Sequence, residues 1–211
     1  TGGVDLERFD ISKKTEWRCA IREKYGIAEE QTVFGFVGRI TRDKGINELL
    51  GAFQNLFSNA PNSILMLVGN FEGEEELEQE KVHWAKQSEN VMFVSSVHDV
   101  ERYYAALDVL VLPSYREGFG NVVIEAEAMG VPVVVSNIPG PIDAMQNEVT
   151  GLQSKLKDQN DLCEKMKRLL NEDTRRKYSV AAREFVEQSF DSKVLREKIY
   201  QRKRELLSES L

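Results

Sequence analysis

Five short apolar runs, separated by stretches with helical patterning, constrain the fold of this chain more than any other feature. They are Thr32–Val37, Ser63–Val68, Val91–Val94, Val109–Leu112 and Val133–Val135. Each is apolar at successive rather than alternate positions and rich in Val, Leu and Ile. Strands with that pattern are covered on both faces by helices. The intervening segments supply helices at Lys44–Ser58, Glu74–Gln87, Val97–Ala106 and Gly120–Met129. Strand–helix alternation with right-handed crossovers gives a parallel sheet. The predicted fold is therefore α/β, a Rossmann-like, doubly wound parallel sheet. A lead-in helix, Thr15–Tyr25, stops at Gly26, a residue suited to ending a helix in the left-handed conformation. Asp158–Leu170, Asp173–Gln188 and Ser192–Leu207 read as extra C-terminal helices, with Asp158 and Asp173 at N-cap or first-turn positions. Residues 30–190 form the predicted domain, 1–29 a lead-in, and 191–211 a terminal helix. The run Arg202-Lys-Arg-Glu205 in that helix reads as a solvated charged face.

Composition removes several functions. The chain carries a net charge of −7, which argues against the basic face of a nucleic-acid binder, so any phosphate site must be a local cationic cluster. Cys19 and Cys163 fit no metal or redox spacing and read as isolated thiols in a reducing compartment. His83 and His98 are isolated, no Asp-x-Asp occurs, and no cluster has metal-ligand spacing, so no metal is expected. No apolar run approaches the roughly 18 residues of a membrane span. No signal-peptide pattern opens the chain, and the loop-like Thr1-Gly-Gly-Val-Asp5 start reads as a cut from a longer protein. The expected location is cytoplasmic.

Two segments can carry chemistry. Glu117-Gly-Phe-Gly-Asn-Val-Val-Ile-Glu125 lies between two apolar strands. Gly118, Phe119 and Gly120 lead into a helix whose first N–H groups, those of Gly120, Asn121 and Val122, lack intrahelical partners and can bind an anion. Glu125 has apolar neighbours and reads as a part-buried carboxylate that wants donors, such as ribose hydroxyls; a structural pair is the alternative. The second segment is Gly38-Arg39-Ile-Thr-Arg42-Asp-Lys44-Gly45, after the first strand. Gly38 allows close backbone approach, and Arg39 and Lys44 can hold a diphosphate; an ordinary charged surface loop is the alternative. Neither G-x-G-x-x-G nor a P-loop is present.

These segments resemble the C-terminal, donor-binding half of a GT-B glycosyltransferase of the large retaining family 4, or "glycosyl transferases group 1". The likeness is carried by Gly3-Val4-Asp5…Phe9, Gly38-Arg39…Lys44-Gly45, Leu67-Val-Gly69, Asp108…Leu112-Pro113-Ser114, Glu117-Gly-Phe-Gly…Glu125-Ala…Met129-Gly-Val-Pro-Val133 and Thr150-Gly151, in the family's order. Glu117 to Glu125 matches its E-x7-E motif. Ser95 and Asp143 depart from it, where glycine and glutamate are usual, which bears on the finer shape of the pocket. The resemblance implies retaining, metal-independent transfer of a hexose from a nucleotide-diphosphate sugar to an acceptor hydroxyl in bacterial surface polysaccharide synthesis. UDP is the default nucleotide and GDP the second. It implies that Arg39 and Lys44 clamp the diphosphate, Glu117 and main-chain groups of Gly118–Gly120 hold the sugar, Asn121 and Val122 bind phosphate, Glu125 holds the ribose, and Val94 lies beside the base. It also implies that no cofactor is used, that Gly3-Val4-Asp5 is an inter-domain linker, and that the last helix packs towards an N-terminal half that binds a glycan or lipid-linked acceptor. That whole protein could sit peripherally at the inner membrane face. A nucleotide-sugar 2-epimerase, a phosphorylase and a non-catalytic nucleotide-binding module are the competing functions on such a half-fold.

Overall fold

The computed structural model describes residues 3–208; residues 1, 2 and 209–211, and the side chains of 198, 199 and 203–208, which include Lys203, Arg204 and Glu205 of the predicted charged run, lie outside what is described. Six parallel strands form one sheet: β1 Thr32–Val37, β2 Ser63–Val68, β3 Val91–Val94, β4 Val109–Leu112, β5 Val133–Ser136 and β6 Gly151–Ser154. Their spatial order is β3-β2-β1-β4-β5-β6. The helices are α1 Lys14–Tyr25, α2 Ile46–Phe57, α3 Gln79–Gln87, α4 Val100–Ala106, α5 Asn121–Ala128, α6 Gln159–Arg168, α7 Glu172–Ser189 and α8 Ser192–Ser208. Helix α2 packs on α3 and α6, whereas α1, α4, α5 and α7 pack on one another, giving a helical layer on each face. The strands between them are buried: every residue of β2, β4 and β5 is shielded from solvent.

Four predicted strands have the predicted bounds, and β5 runs one residue further. Strand β6 is a strand the sequence reading missed. Its Gly-Leu-Gln-Ser composition carries little apolar signal, yet it pairs with β5 from Val133↔Gly151 to Ser136↔Ser154. Three predicted helix starts move by two residues or more. Gly45 takes a left-handed φ of 71°, so Lys44 ends a short 3-10 turn and α2 starts at Ile46. The predicted 74–87 helix breaks at the extended Leu77 and Glu78, where the Glu78 N–H donates to Asn47 Oδ1 at 2.9 Å. Helix α4 starts at Val100, leaving His98 in the preceding loop, where its carbonyl accepts from Arg8 Nη2 at 2.7 Å. Gly26 does end α1 in the left-handed region, and Asp158 caps α6 through the Asp161 N–H. Asn171, not Asp173, caps α7; Asp173 lies in its first turn.

The amino edge of the sheet is anchored by Asp108. Its two oxygens accept from Arg18 at 3.0 Å and Arg22 at 2.7 Å, and the Val33 N–H of β1 donates to it at 2.7 Å. Arg22, 2% exposed, also donates to the carbonyls of Ala28 and Gln31, so α1 is bolted to β1 and β4. Elsewhere Val4 exchanges backbone hydrogen bonds with Phe190 and Ser192, beside the start of α8.

The strand order has one consequence for ligands. From β1 the chain winds outward through β2 to β3, then returns to lay β4 on the other side of β1. The helices that follow β1 and β4 belong to opposite layers, so a crevice opens between the carboxyl ends of these two strands. Open α/β sheets bind ligands at such switch points.

Candidate functional site

The loops after β1 and β4 are drawn together by a contact that needs glycine. A β-carbon on Gly45 would lie 2.1 Å from the Pro113 carbonyl oxygen, closer than any side chain allows. Around it the Tyr115 N–H donates to the Asp43 carbonyl at 2.8 Å, and the Tyr115 hydroxyl donates to both oxygens of Glu48, at 2.8 and 2.9 Å. Burial, and then this carboxylate, push the Tyr115 hydroxyl pKa far up, so it stays a donor. Thr41 donates to Asp43 at 2.5 Å and holds its carboxyl below the usual range.

This stitching brings Lys44 to Glu117, 73 residues away. Lys44 Nζ lies 2.6 Å from Glu117 Oε1, and the buried Ser114 hydroxyl donates to the same oxygen at 2.9 Å. Both charged side chains are about one-sixth exposed, enough to meet a ligand while partly shielded from water. Beside them α5 begins without a side-chain cap. Gly120 is left-handed, with φ 81°, and the first intrahelical acceptor, its carbonyl, goes to the Val123 N–H. The N–H groups of Asn121 and Val122 therefore face the crevice end of the helix without helical partners.

A cavity of about 410 Å³ fills the crevice. It is lined by nine of the eleven predicted site residues: Gly38, Arg39, Lys44, Glu117, Gly118, Phe119, Gly120, Asn121 and Val122. Arg39 is more than half exposed and pairs with the equally exposed Glu72 at 2.9 Å. Such a pair contributes little stability, so it costs little to redirect the guanidinium to an anion. Phe119 stacks edge-on against Phe190 at 5.4 Å between centroids, tying the glycine turn to the segment that precedes α8.

The structure does not bring the other two predicted residues into that cavity. Glu125 sits further along α5, where its Oε2 accepts from the buried Tyr104 hydroxyl at 2.9 Å. Burial raises its carboxyl pKa, opposed by the Tyr104 hydrogen bond and the charge of Arg8. Val94 is buried at the end of β3. It is two strands from β1, or roughly 10 Å at the usual spacing. The departures from the family pattern are also placed. Asp143 accepts from the Gly140 N–H at 3.2 Å, and Ser95 is exposed after β3.

Two residues escaped the sequence reading. Ser114 was recognised only as part of a motif. Glu127, in α5, is fully buried, and neither of its oxygens has a hydrogen-bond partner among the described residues. Its spacing carries a signal: it lies three and four residues after Ile124 and Val123, on their buried stripe. A larger cavity of about 550 Å³ opens at the amino ends of β1, β4 and β5, lined by Lys14, Arg18, Asp108 and others. Its acids and bases are largely engaged with one another, and it is at the end of the sheet that parallel folds do not use for ligands. Among the described residues no group of three or more His, Cys, Asp or Glu is arranged to hold a metal ion, and no helix is long and apolar enough to cross a membrane.

A 3-2-1-4-5-6 parallel sheet with its crevice between these two loops is a Rossmann-like domain, and its family and structural matches make it the C-terminal half of a GT-B glycosyltransferase. Residues 18–185 match the family model described as Glycosyl transferases group 1, and the chain belongs to that family. It is 33% identical over its whole length to the capsular polysaccharide biosynthesis glycosyltransferase CapM of Staphylococcus aureus, of which it covers 54%. In structure it is similar to the sucrose-phosphate synthase of Thermosynechococcus elongatus, with a TM-score of 0.80 and 28% identity over 98% of this chain and 52% of that one. It shares its fold with Anabaena HepE, solved in complex with UDP and glucose, with a TM-score of 0.79 and 24% identity over 94% of this chain and 54% of that one. The chain thus spans about half the length of these relatives.

Proposed function

We propose that this chain is the donor-binding half of a retaining hexosyltransferase that moves a sugar from a nucleotide diphosphate, UDP in the first instance, to an acceptor hydroxyl of a surface polysaccharide. The observation that carries the reading is the Lys44–Glu117 contact across the switch-point crevice, beside the open amino end of α5. A cation, a carboxylate and free N–H groups within one 410 Å³ cavity match the three parts of a sugar diphosphate: its charge, its hydroxyls and its phosphate oxygens. Family membership, and similarity to a capsular polysaccharide glycosyltransferase, support the reaction class. HepE, solved with UDP and glucose, supports the choice of nucleotide.

In this reading the bond between the anomeric carbon and the diphosphate oxygen breaks with its electron pair staying on the diphosphate, the acceptor oxygen bonds to that carbon, and the acceptor proton passes to the departing diphosphate. Arg39 and Lys44 neutralise the charge that gathers on the departing diphosphate, and the α5 N–H groups of Asn121 and Val122 share it. Fixed cations and dipoles supply this countercharge, so the reading is metal-independent. Glu117 and the main chain of Gly118–Gly120 hold the sugar. Glu125 offers its second oxygen, Oε1, to the ribose, and a base lying over β2 and β3 reaches Val94. The acceptor belongs to the N-terminal half of the longer protein.

The test is a thermal-shift series on the full-length protein with UDP-, GDP- and ADP-sugars, with and without EDTA, repeated on Lys44→Ala. A ligand at 100 times its Kd stabilises by about 2.7 kcal/mol. UDP-sugars are expected to raise the melting temperature of the wild type in EDTA and not that of the variant. Absence of any shift with every nucleotide sugar, or an equal shift in Lys44→Ala, overturns the reading. Turnover by residues 1–211 alone overturns the two-half account.

A further inference from the structure

The two oxygens of Glu117 are treated differently. Oε1 receives both Lys44 Nζ, at 2.6 Å, and the Ser114 hydroxyl, at 2.9 Å. Oε2 accepts no hydrogen bond among the described residues. Ser114 is fully buried, and its backbone is clamped on each side: the Pro113 carbonyl abuts Gly45, and the Tyr115 N–H is held by Asp43. A hydroxyl has one proton to donate, and Ser114 spends it on Glu117.

We infer that Ser114 is a positioning residue that fixes Glu117 through Oε1 and leaves Oε2 as the oxygen that meets the transferred sugar. The inference rests on the donor-binding reading above. Lys44 cannot fill this role alone, because the same ammonium is the cation that an incoming diphosphate attracts. When Lys44 turns to the diphosphate, Oε1 loses one of its two donors at the moment the carboxylate must hold the sugar. Ser114 is uncharged and buried, so no anion competes for it, and its hydrogen bond persists. The free nucleoside diphosphate makes no demand on Glu117, whereas the sugar conjugate does.

Calorimetric titration of the full-length protein with UDP and UDP-glucose, and with GDP and GDP-mannose, tests this on Ser114→Ala and Ser114→Thr. Ser114→Ala is expected to weaken binding of the sugar nucleotide about tenfold or more, the usual effect of one hydrogen bond to a charged group. Binding of the matching nucleoside diphosphate should stay within about twofold, and Ser114→Thr, which keeps the hydroxyl, should restore the sugar nucleotide. Equal weakening of both ligands means that Ser114 only shapes the loop, and no weakening of either means that Glu117 needs no such anchor; each overturns the inference while leaving the donor reading intact. A wild type that binds neither nucleotide pair overturns the donor reading, and this inference with it.

Discussion

Replacing Glu127 with glutamine should stabilise this protein at neutral pH, by an amount that depends on pH. Glu127 is 0% exposed, and both of its oxygens are unpartnered. Burial drives its carboxyl pKa well above 4.5, and the nearby Thr150 hydroxyl, outside hydrogen-bond geometry, opposes this. A group whose folded pKa is raised stabilises fully below its unfolded pKa, and that stability is lost as pH rises towards the folded value. Burial holds the proton on Glu127 in the folded state where an unfolded chain, with its value of 4.5, has begun to release it, so folding takes up a proton as pH rises past that value. Each pH unit over which the two states differ by that proton costs about 1.36 kcal/mol. Glutamine has nearly the same shape and leaves similar neutral groups unpaired, so the substitution isolates the cost of the proton. For a domain of this size each kcal/mol gained raises the melting temperature by roughly 2–4 °C. The assay is thermal unfolding of wild type and Glu127→Gln side by side from pH 4 to pH 8. Every other carboxylate titrates identically in both, so the difference between the curves reports Glu127 alone. It should vanish near pH 4 and grow with pH. A flat difference, or a variant less stable throughout, would refute the reasoning and mean that Glu127 has a charge partner in solution.

Three further outcomes are expected. Asp108→Ala removes the acceptor of Arg18, of the 2% exposed Arg22 and of the Val33 N–H, and should cost about 3–5 kcal/mol in urea unfolding; a loss below about 1 kcal/mol contradicts the anchoring role. Lys14 has its pKa lowered to about 8, by burial first and then by the charge of Arg18. Stability from its neutral form is present above its unfolded value of 10.5 and lost as pH falls through about 8. Lys14→Met should therefore unfold at a higher temperature than wild type at pH 7, with the advantage closing by pH 10.5, and acylation of Lys14 should titrate with a midpoint near 8. Arg39→Ala breaks only an exposed pair with Glu72, so the melting temperature should stay within about 2 °C, while nucleotide-sugar affinity measured by calorimetry falls by about tenfold or more.

The parts of this molecule that were legible in its sequence are those where one residue type answers one local demand. Strands covered on both faces must be apolar at successive positions, and β1, β2, β3 and β4 therefore appear with their bounds intact. Strand β6 lies at the sheet's edge, with Gln153 half-buried and Ser154 bonded to the Val135 carbonyl, so its burial is met partly by polar atoms and leaves no apolar run. The start of α2 differs for another reason: Lys44 is a good helix former, but the left-handed Gly45 prevents the helix from including it. Glu127 lies at helical spacing from Val123 and Ile124, but a charged residue ordinarily belongs to the surface, so its burial is not legible from its type. The pairing of Lys44 with Glu117 is of another kind. Each residue was identifiable from its own loop, but their contact depends on β4 lying beside β1, and that adjacency is set by three crossovers between residues 37 and 109. No local pattern encodes it. A crevice at a switch point is by construction assembled from loops that are distant in sequence. Local patterning can therefore name the groups on each wall, and only the strand order shows that Lys44 and Ser114 meet on one oxygen of Glu117 and leave the other open.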